Sequence, residues 1–352
     1  MRVGHATTPQ VLDANQPRDR FYVGGDRIAA FRASARVPGN VPEDWVASTT
    51  TLFGQTSAGL SRLPNGQLLI DAVRADPEEW LGPDHVREFG DDTCLLVKLL
   101  DAGQRLPVHA HPNMAFAMKH LGLAHGKTEA WVFLESAAVH LAFRRDVREQ
   151  ELAQWVNQQD ATAMLAAMHT LRVQRGDAVL IPAGMPHAIG EGAFLVELQE
   201  PTDLSILMEW SGFDIDGAKL GHLGLGFDTA LRAVDRRSWS LESLEALRGS
   251  DAGHEGPLLP AAAGFFRVYR SRGSSECQAG YAVLVVVDGE GSLETAGDDA
   301  LRIRAGQTIV VPHAAGPYRL AGDAQLEVLH CRPPLPDQAP ERPGPDTTPP
   351  SL

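Results

Sequence analysis

The feature that most constrains the fold of this chain is a pair of histidines separated by one residue. In the segment GQRLPVHAHP, Gly103 is followed by five residues and then by His109, Ala110 and His111. Alternate side chains of a β-strand lie on the same face, so this spacing predicts two imidazoles that converge on one interior point. Paired imidazoles are typical of a metal site.

A second segment carries a third histidine in a spaced pattern. In GDAVLIPAGMPHAIG, Gly176 is followed at fixed distances by Pro182, Gly184 and His187. The two segments resemble the two halves of the cupin signature, and they occur in the right order. The resemblance implies a metal-binding jelly-roll barrel in the N-terminal half, with His109, His111 and His187 as ligands.

The rest of the chain up to about residue 210 is typical of β-strands separated by Gly, Pro and Asp turns. Helical spacing of Leu, Trp and Met side chains predicts one insertion in this region, over residues 146–170. The predicted strands cover residues 95–100, 129–134, 139–143, 178–181 and 194–199.

The C-terminal part predicts a second, related barrel. IRAGQTIVVPHA at 303–314 repeats the spacing of VQRGDAVLIPAG at 173–184. In this repeat Pro317 stands where His187 would be and no paired histidines precede it, so we expect a degenerate barrel without metal. YAVLVVVDGEGSLE predicts a hairpin with its turn at Asp288-Gly289.

These patterns predict a mainly β fold of two cupin (jelly-roll β-barrel) domains with helical insertions. The expected division places the metal-binding barrel at residues 1–212, a helical segment or linker at 213–260 and the degenerate barrel at 261–333. The proline-rich residues 334–352 predict a disordered tail.

Four further segments make the chain similar to the type I mannose-6-phosphate isomerase family. They are VHAHP, GKTEAW, GMPHAIGEG and the ELQE at 197–200. The resemblance implies that Glu129 of GKTEAW is the fourth metal ligand, despite its distance in sequence from His111. It also implies active-site roles for Lys98, in LLVKLLDAG, and for Lys127 in contacting the sugar.

Glu197 matches the glutamate on the strand after the last ligand in that family. The resemblance implies that Glu197 transfers a proton or orients the base; a purely internal ion pair with Lys98 is the alternative. His120, His125 and His140 have no motif around them and are expected to be structural or solvated.

The chain departs from the family at two positions. His109 stands where the family usually has glutamine, which gives a ligand set of three histidines and one glutamate. We expect one divalent ion, zinc by resemblance, although manganese, iron, cobalt and nickel also suit these donors. Leu207 stands where the family has a catalytic arginine. The candidates to replace that guanidinium are Lys98, Lys127, Arg144 and Arg145.

The leading functional hypothesis is therefore a metal-dependent aldose–ketose isomerase that interconverts mannose 6-phosphate and fructose 6-phosphate through an enediol. Isomerisation or epimerisation of another or a non-phosphorylated sugar is an alternative that the absence of the arginine favours. A non-catalytic sugar-binding cupin and a metal-dependent dioxygenase are further alternatives, since three histidines and one glutamate also suit iron.

Composition limits the partners and the compartment. The net charge of −14 argues against nucleic acid as a main ligand. The family resemblance implies a small sugar or sugar phosphate as the ligand. Three cysteines without paired spacing predict reduced thiols. No signal peptide and no bilayer-length apolar run are visible, and we expect a cytoplasmic monomer or homodimer without membrane partners.

Overall fold

The computed structural model describes residues 7–249, 256–297 and 299–340 of the chain. The fold is mainly β, as predicted, and contains four sheets of antiparallel strands. Residues 250–255 of the predicted helical segment and residues 341–352 of the predicted tail lie outside the described residues.

Within residues 7–249 the structure has twelve strands, and three of them are only two residues long. They are β1 (Gln10–Leu12), β2 (Glu43–Val46), β3 (Leu96–Asp101), β4 (His109–Ala110), β5 (Glu129–Phe133), β6 (Ala137–Phe143), β7 (Met168–Val173), β8 (Ala178–Ile181), β9 (His187–Ile189), β10 (Phe194–Gln199), β11 (Ile206–Leu207) and β12 (Arg248–Gly249). All five predicted strands are present, with ends that differ by at most two residues.

The described C-terminal part contains eight more strands. Ten α-helices lie within the described residues as a whole. The strands are β13 (Arg267–Arg272), β14 (Ser275–Cys277), β15 (Ala282–Asp288), β16 (Glu290–Thr295), β17 (Leu301–Arg304), β18 (Thr308–Val311), β19 (Tyr318–Gly322) and β20 (Glu327–Arg332). The helices are α1 (Arg27–Phe31), α2 (Leu69–Ala75), α3 (Pro77–Leu81), α4 (Pro83–Phe89), α5 (Met114–Leu121), α6 (Glu149–Gln158), α7 (Ala161–Ala167), α8 (Gly217–Leu220), α9 (Phe227–Ala230) and α10 (Leu241–Glu245).

The N-terminal strands form a sandwich of two sheets. One sheet has the order β12-β8-β5-β10-β3-β2 and the other has the order β11-β4-β9-β6-β7. Large side chains such as Trp131, Phe133 and Leu141 fill the space between them. Because strand side chains alternate, the same strands place Val132 and Val196 on the opposite face of the larger sheet.

The C-terminal strands form a second sandwich behind the first. Its sheets have the orders β1-β18-β15-β20-β13 and β14-β19-β16-β17. In β15, Leu284 and Val286 face the core between these two sheets, whereas Val283 and Val285 pack against the larger N-terminal sheet. Fully apolar strands such as β15 present apolar side chains on both faces of their sheet. The two sandwiches therefore share one apolar layer.

The repeated segments occupy equivalent places in the two sandwiches. β8 follows a turn at Gly176, and β18 follows a turn at Gly306; both glycines have a positive φ, of 91° and 86°. Two strands cross the predicted division of the chain, since β1 pairs with β18 and β12 pairs with β8. The domain boundaries at residues 212, 260 and 333 stay a prediction.

The helical content of the first half differs from the sequence-based expectation. The segment 146–170 contains two helices, α6 and α7, but its last three residues begin β7, where Met168 pairs with Phe143. The expectation of one interrupting segment is wrong, because α1 to α5 also lie before residue 122. Proline is common in turns, but Pro77 and Pro83 occupy the first turns of the helices α3 and α4.

The predicted hairpin at Asp288-Gly289 is wrong. The chain does turn there, and Gly289 has a φ of 71°. However, β15 pairs with β18 and β20, while β16 pairs with β17 and β19 in the other sheet. The glycine therefore makes a corner between two sheets of one sandwich instead of closing an antiparallel pair. Among the described residues no helix is long and apolar enough to cross a bilayer.

Candidate metal and active site

The three motif histidines meet inside the N-terminal sandwich. His109 and His187 are direct cross-strand partners in the β4–β9 pair, and their ring centroids are 4.1 Å apart. His111 follows β4, and its ring lies 4.9 Å from each of the other two. All three side chains are buried. The two motifs, whose last histidines are 76 residues apart (187 minus 111), thus form one cluster.

Hydrogen bonds at Nδ1 fix the three imidazole rings in the same orientation, so that Nε2 of each ring faces the centre of the cluster. Every Nδ1 lies within hydrogen-bond distance of a backbone carbonyl, so Nδ1 carries the proton and donates it. Each Nε2 is then left with a lone pair that faces the cluster. The accepting carbonyls belong to Pro107 (2.8 Å, from His109), Leu204 (2.6 Å, from His111) and Met185 (2.8 Å, from His187).

Glu129 completes this cluster from β5. Its carboxylate oxygens lie 3.1 Å from the Nε2 of His111 and 3.2 Å from the Nε2 of His187. The buried Nε2 of His187 has no hydrogen-bond partner among the described residues. Lone pairs on an imidazole nitrogen and a carboxylate oxygen repel each other at this distance, and a cation between them removes the repulsion. The donor set therefore fits a divalent metal ion.

Burial and neighbouring charges keep these groups in the protonation states that a metal needs. Burial, together with the other two imidazoles, lowers the pKa of His109 well below its usual range. Burial and the Lys127 ammonium lower the pKa of His111 to about 3. Burial opposes ionisation of Glu129, but Lys127 and His111 outweigh it and hold its pKa well below the usual range.

An unbroken series of buried ion pairs leads away from Glu129. The Nζ of Lys127 lies 2.9 Å from Glu129 and 3.6 Å from Glu197, and it also donates to the Nε2 of His111 at 3.1 Å. Glu197 is 3.5 Å from the Nζ of Lys98, which in turn is 3.8 Å from Glu43. The three predicted catalytic residues are therefore brought together with the predicted metal ligands.

Strand pairing explains why these side chains meet. Glu197 on β10 pairs with Lys98 on β3 and with Trp131 on β5, in the middle of the larger sheet. Facing residues of antiparallel strands lie on the same side of the sheet, so Glu197 and Lys98 point into the sandwich together. Burial and the charge of Glu129 raise the pKa of Glu197 to about 7, although Lys98 and Lys127 oppose the shift.

A buried carboxylate holds the loop that carries Lys127. The carboxylate of Glu200 accepts hydrogen bonds from the backbone N–H groups of Gly126, at 3.2 Å, and Thr128, at 2.7 Å. Gly126 is required here, since a Cβ would lie 2.6 Å from the backbone of Asn113. The GKTE segment is thus fixed on both sides of Lys127.

One cavity is lined by His109, Glu129, Lys98, Lys127 and Glu197. Three charged residues that were not predicted from the sequence also line this cavity: Arg20, Glu43 and Asp203. None of these three belongs to a motif that sequence inspection singles out.

The position of the expected arginine is apolar, and Leu207 is not among the residues that line this cavity. Leu207 is buried in β11, directly opposite His109 of β4. Of the four candidates to replace its guanidinium, Lys98 and Lys127 lie in the cavity. Arg144 and Arg145 lie elsewhere: both are exposed, and Arg145 pairs with Glu151 on α6. Those two candidates are excluded.

Comparison with known proteins gives concordant results in sequence and structure. No model of a known protein family matches the chain. The mannose-6-phosphate isomerase of Streptococcus mutans is 26% identical over 285 residues, which cover 77% of this chain and 86% of that protein. A mannose-6-phosphate isomerase of Bacillus subtilis is 28% identical over 252 residues, which cover 68% of this chain and 76% of that protein.

Solved structures extend the similarity over nearly the whole fold. The mannose 6-phosphate isomerase from Bacillus subtilis superposes with a TM-score of 0.72 and 20% identity, covering 92% of this chain and 99% of that one. A mutant of phosphomannose isomerase from Salmonella typhimurium gives a TM-score of 0.71 with 15% identity, covering 93% and 100%. The resemblance to the type I mannose-6-phosphate isomerase family is confirmed.

The prediction of a mannose-6-phosphate isomerase-like enzyme is confirmed by the same relatives. Within that family resemblance, the segments VHAHP, GKTEAW and GMPHAIGEG supply the side chains that meet in the N-terminal sandwich. In the equivalent region of the second sandwich, Pro317 precedes β19, and His313 packs its ring against Gly82 at the junction of α3 and α4.

Proposed function

We propose that this chain is a metal-dependent aldose–ketose isomerase that interconverts mannose 6-phosphate and fructose 6-phosphate through an enediol. The observation that carries the proposal is that His109 and Glu129, from the histidine–glutamate cluster, line one cavity together with Glu197, which lies between two lysines. The similarity to mannose-6-phosphate isomerases supports the choice of substrate.

The metal would be held by the Nε2 atoms of His109, His111 and His187 and by the carboxylate of Glu129. A divalent ion bound there supplies Lewis-acid polarisation of sugar oxygens. Zinc is the ion that we propose first, and manganese, iron, cobalt and nickel fit the same donors. The lowered pKa values of His109, His111 and Glu129 favour neutral imidazoles and an ionised carboxylate, as metal ligands must be.

Proton transfer between C1 and C2 of the sugar would fall to Glu197. A general base works best when its pKa lies close to the operating pH, and the pKa of Glu197 is raised to about 7. Its carboxylate can accept a proton from one carbon and return it to the other. Lys98 and Lys127, on either side of it, would stabilise negative charge on the sugar oxygens of the enediolate.

The direct test is turnover by the purified, metal-loaded protein. Conversion of mannose 6-phosphate to fructose 6-phosphate that is lost on chelation and restored by added metal supports the proposal. Glu197→Gln is expected to lower kcat by at least about a hundredfold, as is typical for removal of a general base. Sugar binding without turnover by the loaded wild-type protein would overturn it in favour of a binding protein.

A non-phosphorylated sugar is the second candidate substrate. Leu207 favours it, since an apolar side chain cannot bind a phosphate. Each cation that lines the cavity is also already paired with a carboxylate. Turnover of mannose with no turnover of mannose 6-phosphate would decide for this alternative.

A further inference from the structure

Arg20 is the one arginine among the described residues that line the cavity. It comes from the segment between β1 and α1, more than 80 residues before the first histidine motif. Its side chain is 12% exposed, so its guanidinium is largely withdrawn from water yet can still be reached from the cavity.

Two carboxylates hold the guanidinium of Arg20 from different sides. Its two terminal nitrogens donate to the two oxygens of Asp203, at 3.2 and 3.3 Å, and its Nε lies 3.2 Å from Glu43. A guanidinium has five N–H bonds, and the hydrogen bonds to Asp203 use two of them, one on each terminal nitrogen. One N–H on each terminal nitrogen remains for a ligand. Such a fixed fork is suited to a planar or tetrahedral oxyanion.

Arg20 lies at the end of the ion-pair series farthest from the histidines. The series runs through Arg20, Glu43, Lys98, Glu197, Lys127 and Glu129. In an open-chain hexose 6-phosphate the reacting carbons, C1 and C2, are at one end and the phosphate is at the other. Arg20 and Glu197 line the same cavity, so a substrate whose reacting end lies beside Glu197 can direct its phosphate towards Arg20.

We infer that Arg20 binds the phosphate of the substrate. This inference rests on the proposed function, since it assigns the anionic end of the same site. The alternative is a structural role, in which Arg20 only neutralises the buried Glu43 and Asp203. The two roles differ in whether the phosphate group of the ligand matters.

The test compares Arg20→Gln and Arg20→Lys with the wild-type protein, all metal-loaded. Arg18→Gln, at an exposed arginine two residues earlier, is the matched control. Arg20→Gln should raise the KM for mannose 6-phosphate by at least about tenfold and change the KM for mannose much less, since mannose lacks the phosphate that the guanidinium would bind. Arg20→Lys, which keeps the charge but not the fork, should give an intermediate KM.

Equal losses with the phosphorylated and the non-phosphorylated sugar, or an unchanged KM for mannose 6-phosphate, would overturn the inference. Calorimetric titration with mannose 6-phosphate and with mannose separates this failure from that of the proposed function. If the wild-type protein catalyses no isomerisation, the proposed reaction fails, and Arg20 is then judged by binding alone. At least tenfold weaker binding of mannose 6-phosphate to Arg20→Gln supports it; equal binding, or none by the wild-type protein, overturns it.

Discussion

Leu207 and His109 are direct neighbours across the short β4–β11 pair. Residues that face each other in an antiparallel pair lie on the same side of the sheet, so the side chain at position 207 and the His109 imidazole share one face. An apolar residue beside the proposed metal cluster therefore occupies a place from which a longer side chain would reach the cavity.

Leu207→Arg is expected to increase kcat/KM for mannose 6-phosphate, because a guanidinium at this position adds a charged donor beside the reacting sugar. Steady-state kinetics of the metal-loaded protein measure the effect, and Leu207→Met is the control for volume. A folded Leu207→Arg protein with wild-type kinetics would show that the position does not reach the substrate.

Removal of one motif histidine should abolish stoichiometric metal binding. His111→Ala and His187→Ala each delete one of four donors, and the remaining set cannot enclose a divalent ion tightly. Elemental analysis after dialysis measures the metal content per chain. His120→Ala, on α5 outside the cluster, and His313→Ala, in the second sandwich, should keep the wild-type content. Equal loss from all four variants would contradict a single site.

The rate should depend on pH through Glu197. Its pKa is raised to about 7, so the fraction of ionised carboxylate increases as the pH rises through that value. A base acts only when it is deprotonated, and kcat/KM should therefore fall on the acidic side of about pH 7. The pH–rate profile of the metal-loaded protein tests this. A rate that stays flat between pH 5.5 and 8 by the same assay would exclude Glu197 as the base (roughly the range that a pKa near 7 governs).

Glu200 should matter through the position of Lys127. Glu200→Ala removes both acceptors for the backbone N–H groups of Gly126 and Thr128 and leaves buried donors unsatisfied, at a cost of about 1–3 kcal/mol in the free energy of unfolding. It should also reduce kcat, whereas Glu200→Gln, which keeps one carbonyl acceptor, should retain more activity. Glu191→Gln, at an exposed position, is the control. Loss of stability with unchanged kcat would limit Glu200 to a structural role.

Acid should destabilise the fold through Glu43. Burial alone would raise its pKa, but Arg20 and Lys98 outweigh burial and lower it to about 2. A carboxyl group with a depressed pKa in the folded state stabilises that state above its unfolded pKa, and the contribution is lost as the pH falls from about 4 to about 2. The contribution at neutral pH is roughly 3 kcal/mol. Chemical denaturation across this pH range should show a smaller pH dependence for Glu43→Gln.

The histidine cluster could be predicted from the sequence because its geometry is mostly local. The spacing of His109 and His111 places both imidazoles on one side of an extended segment, whatever the rest of the chain does. Gly176 to His187 is a turn–strand–turn unit. The roles of Glu129, Lys98 and Glu197 required the family resemblance. Strand pairing brings these residues together, and pairing is a long-range property that spacing alone does not determine.

Arg20, Glu43 and Asp203 could not be found in this way. Arg20 and Asp203 are 183 residues apart in the sequence, and only the tertiary fold brings them into contact. The hairpin error has a similar origin: a turn glycine between two apolar strands fits a hairpin and a corner between sheets equally well. The short helices α2 to α4 were missed because five to seven residues carry too little periodicity to be distinguished from turns.

The alternation of charge along the buried ion pairs restricts how this site can change over time. If one member of the series loses or reverses its charge, its two neighbours lose their partner or face a like charge in a buried environment. Substitutions there would have to be accepted in pairs, so that variants of Arg20 tolerate loss of their guanidinium best when Glu43 or Asp203 changes as well. Natural variation at the three positions should therefore be correlated, and sequences that differ from this chain at one of them should differ at a second.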